Sequence, residues 1–290
     1  MGAARPLSGR ALGAAVRVGV TARGIADNLA GGWRLTADGA SFARWAGDTV
    51  RYRQLRLWDA GRGARRAIRV HPDAELTYRL DRGDIRTVAE VWISRAYELP
   101  PTVPLRRIRT IVDLGANIGL TGVWLARRYG CERLIAVEPS PENAELTRLN
   151  LEQNGVPTTV LQAAVGGTSG IASFALDRES TLGRLGDGAL RVPVVTMDEV
   201  LGRLTPEARV DLLKMDIEGG EMDIIDGEAD WLNRVDVIIA ELHPKYGDTE
   251  AVVRRLEARG FHTQRVASGS AHGPKGDDFM SCFYRAEAGA

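Results

Sequence analysis

Residues 108–119 read IRTIVDLGANIG, an apolar run that ends near an acidic residue and is followed by two glycines four positions apart. A continuous apolar run is typical of a parallel strand covered on both faces. Glycines directly after a strand let the backbone turn tightly and approach a ligand. Helical spacing follows over Gly119–Tyr129. The stretch therefore predicts a strand, a turn and a helix of an α/β fold, with a ligand held against the turn.

The chain beyond this stretch alternates between strand and helix patterns, which predicts a mostly parallel sheet flanked by helices. Ser140 and Pro141 are typical of the start of a helix that runs to Gly155, and Thr196 with Glu199 forms a capping box. Another helix is predicted over Thr249–Arg259. The further predicted strands are Arg133–Val137, Thr158–Val165, Ile171–Leu176, Val192–Thr196, Val210–Met215, Asp236–Glu241, Thr263–Val266 and Phe279–Tyr284. Loops are predicted at 177–190 and 267–278.

The N-terminal part predicts a different organisation. Arginines interrupt every apolar run in residues 1–32, which favours a leader or a helix rather than a membrane span. Residues 33–104 predict a β-rich and helical extension that could cap an acceptor pocket, and 105–290 form the ligand-binding domain. In the extension we predict strands at Ser41–Ala46, Val50–Trp58, Ala67–Val70 and Leu76–Leu80 and a helix at Asp84–Tyr97.

Composition narrows the functional classes. The 290 residues carry 38 Lys and Arg against 38 Asp and Glu, so the net charge is zero. No polybasic field is available to hold nucleic acid or an anionic membrane, and we expect neither partner. Two cysteines are too few for a disulfide framework, which favours a reducing, cytoplasmic location. A homodimer is left open.

Ligands of open parallel sheets bind at the carboxyl ends of the strands. The first turn contains Gly115, Asn117 and Gly119, but the G-x-G-x-x-G pattern of a dinucleotide fold is absent. Glu138 ends the second strand, 23 positions after Gly115, where an acid accepts hydrogen bonds from ribose hydroxyls. Its neighbours Pro139 and Ser140 open a helix, and small residues after the third strand, Ala163 and Ala164, allow an adenine ring to lie against the backbone. The pattern predicts a nucleoside-type cofactor.

The fourth and fifth predicted strands end in a cluster of polar residues. Residues 213–221 read LKMDIEGGE, and Glu241 and His243 share one face of the next strand end. Carboxylates at the buried end of an apolar strand are costly unless they are paired, bound to metal or functional. Asp216, Glu218, Glu241 and His243 are therefore expected to meet at one edge of the sheet.

These motifs together resemble the FkbM family of S-adenosylmethionine-dependent methyltransferases. The resemblance is carried by VDLGANIG at 112–119, VEP at 137–139 and above all LKMDIEGGE at 213–221, and it covers roughly residues 80–285. Asp84, Tyr97 and the segment 180–182 also match. The resemblance implies a Rossmann-like class I fold with seven strands, the last one antiparallel, and O-methylation of a sugar or polyketide-type product. It also implies that Asp113 faces the methionine ammonium of the cofactor, directly or through water.

Methyl transfer requires an acceptor oxygen held in line with the methyl group and the leaving sulfur. We expect His243 or Asp216 to act as the base, with Lys214 as a further catalytic or supporting residue. Alternatively, Asp216, Glu218, Glu241 and His243 hold Mg²⁺, which lowers the pKa of the acceptor hydroxyl. The competing functions are an NAD-dependent oxidoreductase, disfavoured by the missing third glycine, and a non-catalytic protein that binds S-adenosylmethionine.

Overall fold

The computed structural model describes residues 26–27, 29–52, 63–104, 107–176, 183–185, 188–225, 229–266 and 279–286. Its strands, in chain order, are β1 (Arg65–Val70), β2 (Ala74–Arg79), β3 (Thr110–Leu114), β4 (Arg133–Val137), β5 (Thr158–Leu161), β6 (Ala164–Val165), β7 (Gly170–Leu176), β8 (Gly183–Leu185), β9 (Leu190–Val195), β10 (Val210–Met215), β11 (Val235–Leu242), β12 (His262–Val266) and β13 (Phe279–Tyr284). Its α-helices are α1 (Gly39–Val50), α2 (Asp84–Val88), α3 (Leu120–Tyr129), α4 (Pro141–Gln153), α5 (Met197–Leu201), α6 (Glu221–Ile225) and α7 (Thr249–Ala258). Residues 29–35 are also helical, α2 continues as a π-helical turn over Ala89–Ile93, and 3₁₀ turns cover Asp230–Arg234 and Pro244–Tyr246.

A seven-stranded sheet forms the centre of the molecule, in the order β12-β13-β11-β10-β3-β4-β5. The pairs β10–β11, β10–β3, β3–β4 and β4–β5 are parallel, and β13 runs antiparallel to both β11 and β12. Six strands therefore point the same way and their carboxyl ends share one edge. This confirms the Rossmann-like class I fold with an antiparallel last strand.

Apolar side chains on both faces of this sheet form two separate cores. On one face Ile111 and Leu212 pack under α3, α4 and the N-terminal extension. On the other face Val112 and Leu213 pack under α5 and α7. Because neighbouring residues of a strand point to opposite faces, an uninterrupted apolar run serves both cores at once.

The N-terminal extension is joined to the sheet domain by polar contacts as well as by the shared core. The free edge of β2 is paired by side chains of α4: Asn150 bonds the backbone N–H and carbonyl of Thr77 at 2.8 and 2.9 Å. Asn154 does the same for Glu75, at 2.9 and 2.7 Å. An edge strand that is paired in this way exposes no open backbone groups there.

Several predicted elements are wrong in detail. Ser41–Ala46 and Val50 lie in helix α1, because Asp38 caps its start by accepting the backbone N–H of Ser41 at 2.8 Å. The buried positions 41, 45, 48 and 49 follow helical spacing. Residues 53–58 of the second predicted strand lie outside the described residues. The strands at 67–70 and 76–79, the capping box and the Ser140 cap are confirmed.

The predicted third strand is two strands, since β5 belongs to the central sheet and β6 to a four-stranded sheet with β9, β7 and β8. Strand β8 occupies part of the loop predicted at 177–190, of which 177–182 and 186–187 lie outside the described residues. The loop predicted at 267–278 also lies outside them. The helix predicted over Asp84–Tyr97 ends at Ile93.

None of the helices in the described part of the chain combines the length and the apolar character needed to cross a bilayer.

Candidate active site

The turn after β3 brings Gly115, Asn117 and the end of β4 together. The backbone N–H groups of Gly115 and Ala116 both donate to the carbonyl of Val137 at 3.0 Å. Asn117 has a positive φ of 51°, a conformation that asparagine tolerates, and its backbone N–H points at Glu138. Gly119 then precedes the first residue of α3. The glycine-rich turn predicted from the sequence is therefore hydrogen-bonded to the carboxyl end of β4.

The Glu138 carboxylate is held almost entirely by backbone. It accepts the N–H groups of Asn117 and Ser140 at 2.8 and 2.9 Å, and the side-chain amide of Asn143 lies 3.4 Å away. Burial raises the pKa of Glu138 to about 7, although these hydrogen bonds favour the ionised form. A carboxylate has about four acceptor positions, so Glu138 keeps capacity for hydroxyl donors.

Asp113 and Lys214 form a buried ion pair beneath the same turn. They are direct neighbours in the parallel pair β3–β10, so their side chains leave the sheet on one face. Lys214 Nζ lies 3.2 Å from Asp113 Oδ1 and donates to the carbonyls of Leu114 and Gly115 at 3.1 and 2.7 Å. Burial disfavours the cation, yet the pKa of Lys214 lies above its ordinary value because Asp113 and Asp216 stabilise the charge. Lys214 thus stabilises the turn through its hydrogen bonds to the Leu114 and Gly115 carbonyls. Its participation in catalysis stays a prediction.

His243 lies at the centre of a carboxylate cluster formed by the ends of β10 and β11. Its Nδ1 lies 3.0 Å from Glu221 Oε1, and its Nε2 lies 3.7 Å from Asp216 Oδ1 and 3.8 Å from Glu218 Oε2. Burial alone would lower the pKa of His243, but the hydrogen bond with Glu221 and the charge of Asp216 raise it to about 10. With that pKa both ring nitrogens of the uncomplexed His243 carry a proton at neutral pH, and the ring is a cation.

Glu241 completes this cluster from β11. One ligand atom each from Asp216, Glu241 and His243 lies within 4.8 Å of the other two. Burial, followed by the negative charge of Asp216, raises the pKa of Glu241 to about 9. The fourth residue of the predicted metal set, Glu218, lies outside this group of three, although it is close to His243.

The N-terminal extension supplies contacts that sequence patterns alone did not predict. The hydroxyl of Tyr97 donates to Asp216 Oδ2 at 2.9 Å, across 119 positions of chain. Thr87 accepts from the side-chain amide of Asn117 at 3.4 Å. Arg79 donates to Asn143 Oδ1 at 2.7 Å, next to Glu138. The family resemblance marked Tyr97 without a role, and no local signal in the sequence indicates the other contacts.

Glu221 is the first residue of α6, a position where an acidic side chain favours the helix dipole. It has a second role, because its carboxylate is only 2% exposed and orients His243. In the sequence, only the close spacing of Asp216, Glu218 and Glu221 indicated that Glu221 lies near the cluster.

Comparison with known proteins identifies the chain. The sequence profile described as the methyltransferase FkbM domain matches residues 113–263, which include the glycine turn, Glu138 and the carboxylate cluster. That match spans more than half of the chain.

The chain belongs to the FkbM methyltransferase family. As an FkbM methyltransferase with the class I fold, it uses S-adenosylmethionine.

Three relatives are similar to this FkbM methyltransferase. "Methyltransferase 1" of Beauveria bassiana is 27% identical over an alignment of 201 residues that covers 59% of this chain and 78% of the relative. "Methyltransferase sdnD" of Sordaria araneosa is 26% identical over an alignment of 216 residues that covers 61% of this chain and 81% of the relative. The "AMB antimetabolite synthetase AmbE" of Pseudomonas aeruginosa is 27% identical over an alignment of 222 residues that covers 60% of this chain but only 10% of that protein.

The residues at the turn of this FkbM methyltransferase fit the cofactor. Asn117 Oδ1 is a buried acceptor without a hydrogen-bond partner among the described residues, and Glu138 has acceptor capacity to spare. S-adenosylmethionine offers an ammonium group and two ribose hydroxyls as donors. Ala163, which follows β5, and Ala164, the first residue of β6, are buried, and Pro139 is partly buried. The individual cofactor contacts, including that of Asp113, stay predictions.

Proposed function

We propose that the protein is an O-methyltransferase that transfers the methyl group of S-adenosylmethionine to a hydroxyl group of a small molecule, a saccharide or a polyketide-type natural product. One observation carries the proposal. The hydrogen-bonded carboxylate of Glu138, after β4, lies at the same edge of the sheet as the Asp216–His243 cluster after β10 and β11, and the glycine turn after β3 lies between them. The zero net charge and the relative named as an antimetabolite synthetase support a small acceptor.

The glycine turn is proposed to hold the cofactor. S-adenosylmethionine supplies an electrophilic methyl group next to its sulfonium sulfur. Glu138 would accept the ribose hydroxyls, Asn117 Oδ1 would accept the ammonium group, and Ala163 with Ala164 would face the adenine ring. Because the turn and the carboxylate cluster lie at the same edge of the sheet, a cofactor held in this way would direct its methyl group toward the cluster.

The carboxylate cluster is proposed to bind and activate the acceptor. An alcohol is a poor nucleophile near neutral pH, and a positioned base contributes about 10²- to 10⁴-fold to the rate. His243 Nδ1 is engaged by Glu221, and its Nε2 faces the carboxylates of Asp216 and Glu218, so an uncomplexed His243 offers no nitrogen directed at an acceptor hydroxyl alone. Asp216 has a side chain 24% exposed and a fixed orientation, because Tyr97 donates to it. We therefore assign Asp216 the hydroxyl proton, while the new O–C bond forms and the C–S bond breaks with its electron pair on sulfur.

Calorimetric titration with S-adenosylhomocysteine, with NAD⁺ in a parallel titration, tests the cofactor class. We expect micromolar binding of the thioether and none of NAD⁺; the reverse result would favour the oxidoreductase. A panel of hydroxyl acceptors with methyl-labelled S-adenosylmethionine then tests turnover, and failure of the whole panel despite binding would favour a non-catalytic protein.

Variants of the cluster test the assignment of residues. Asp216→Ala and His243→Ala should lose turnover by at least about 10²-fold, while S-adenosylhomocysteine still binds. Glu132→Ala, at the amino end of β4 and therefore at the opposite edge of the sheet, is the matched control and should keep both. Full turnover in Asp216→Ala would contradict the role given to that residue.

A further inference from the structure

We propose that Asp216, Glu241 and His243 form a binding site for one divalent cation, and that Mn²⁺ fits this set of donors best. The inference rests on the proposed function, because the ion would lie where the acceptor hydroxyl is expected. Two carboxylates and one imidazole lie between the all-oxygen sites typical of Mg²⁺ and the nitrogen- and sulfur-rich sites typical of Zn²⁺. Their ligand atoms already lie within 4.8 Å of one another.

Glu241 provides the first observation that points to a ligand. Its residue surface is only 9% exposed, yet its carboxylate has no hydrogen bond or ion pair with any residue that the structure describes. Asp216 places a second carboxylate beside it. A buried carboxylate without a partner either takes up a proton or binds a cation, and a cation bound here would be held by both carboxylates at once.

His243 provides the second, independent observation. A histidine that binds metal almost always donates its other ring N–H to a carboxylate or carbonyl, which fixes the orientation of the ring. Glu221 Oε1 lies 3.0 Å from His243 Nδ1 and is positioned for that purpose. The remaining nitrogen, Nε2, faces Asp216 Oδ1 at 3.7 Å. That separation is long for a hydrogen bond but suits two ligands that are each about 2.1 Å from one ion.

The position of the site connects it to methyl transfer. Glu241 and His243 are largely buried, whereas Asp216 has a side chain 24% exposed, so the ion would be reached from the Asp216 side. Three protein ligands leave coordination positions for acceptor oxygens, and a bound cation lowers the pKa of a hydroxyl that it holds. The ion and Asp216 would then act on the same hydroxyl group. Glu218 Oε2 lies 3.8 Å from His243 Nε2 but outside the group of three, so it is not part of the proposed ligand set.

The test is a titration of the full chain with MnCl₂, followed by calorimetry and by the electron paramagnetic resonance signal of free Mn²⁺. We expect one Mn²⁺ per chain. Glu241→Gln, which keeps the shape of the side chain and removes its charge, should weaken Mn²⁺ binding by at least about tenfold. The Glu132→Gln control should bind Mn²⁺ like the wild type, since this carboxylate is 57% exposed and paired with Arg107 at the opposite edge of the sheet.

Binding of S-adenosylhomocysteine by each variant separates this inference from the proposed function. If the wild type binds the thioether but takes up no Mn²⁺ at millimolar concentration, the cation site is wrong and the cofactor site stands. If Glu241→Gln binds Mn²⁺ as tightly as the wild type, the ion lies elsewhere and the inference is overturned. If Mn²⁺ binds as expected but the thioether does not, the proposed function fails instead.

Discussion

Replacement of Gly115 by alanine tests the contact between the glycine turn and Asp216, the residue that follows β10. A Cβ atom at this position would lie 1.8 Å from the carbonyl oxygen of Asp216, and real Cβ contacts essentially never fall below 3.0 Å. The ends of β3 and β10 would therefore have to separate by at least 1.2 Å, the difference between those two distances. Gly115 also has a φ of 73°, in the left-handed region that favours glycine.

The expected loss of stability has two parts. The left-handed backbone costs an L-residue about 1–2 kcal/mol. Forced backbone shifts in a packed region cost about 1–3 kcal/mol more. Gly115→Ala should therefore lower the free energy of unfolding by about 2–5 kcal/mol. Gly155 is the matched control, because its φ is 64° but a Cβ there would meet nothing within 4 Å. Gly155→Ala should lose only the backbone part, about 1–2 kcal/mol.

Urea denaturation of the two variants measures these losses, and calorimetry measures the affinity for S-adenosylhomocysteine. Only Gly115→Ala should also bind the thioether more weakly, since it displaces Asp216 and the turn together. Equal destabilisation of both variants, with unchanged affinity in both, would refute the reasoning that the two strand ends are in rigid contact.

Three further measurements have definite expected outcomes. Lys214→Met should lower the free energy of unfolding by about 3–5 kcal/mol, because it leaves Asp113 charged and unpaired in the core, and the double variant with Asp113→Asn should recover most of that loss in urea denaturation. Tyr97→Phe should reduce the turnover number with little change in thioether affinity, since it removes only the hydrogen bond to Asp216; an affinity loss equal to the turnover loss would contradict this. In the wild type, thioether affinity should fall as the pH drops below about 7, because protonation removes acceptor capacity from Glu138, and Glu138→Gln should bind weakly without that pH dependence. The raised pKa also means that the ionised Glu138 destabilises the free protein above pH 7, an effect that is relieved as the pH falls toward 4.5.

The elements that the sequence predicts correctly depend on local signals. The apolar runs of the central strands, the Ser140 cap and the Thr196–Glu199 capping box were predicted from sequence and confirmed. Each depends on residues within a few positions of one another. Helix α1 was predicted as strands, although its Asp38 cap is also local, because its aromatic residues favour a strand.

Other features depend on partners far apart in the chain. The pattern at 158–165 is uniformly strand-like, and only the pairing of β5 with β4 and of β6 with β9 divides it between two sheets. The same holds for the hydrogen bond from Tyr97 to Asp216, whose partners approach through the packing of the extension on the sheet.

The sequence alone determined that this chain alternates strands with helices, has a glycine turn after β3, and carries an acidic residue, Glu138, directly after β4. These properties follow from backbone preferences and from the burial pattern of short segments. Only the tertiary structure decided that Lys214 is neutralised by Asp113, that Glu221 orients His243, and that Glu241 lies buried without a partner among the described residues. Those outcomes depend on strand register and on the depth of burial, which bring charges together across long separations and set their pKa values.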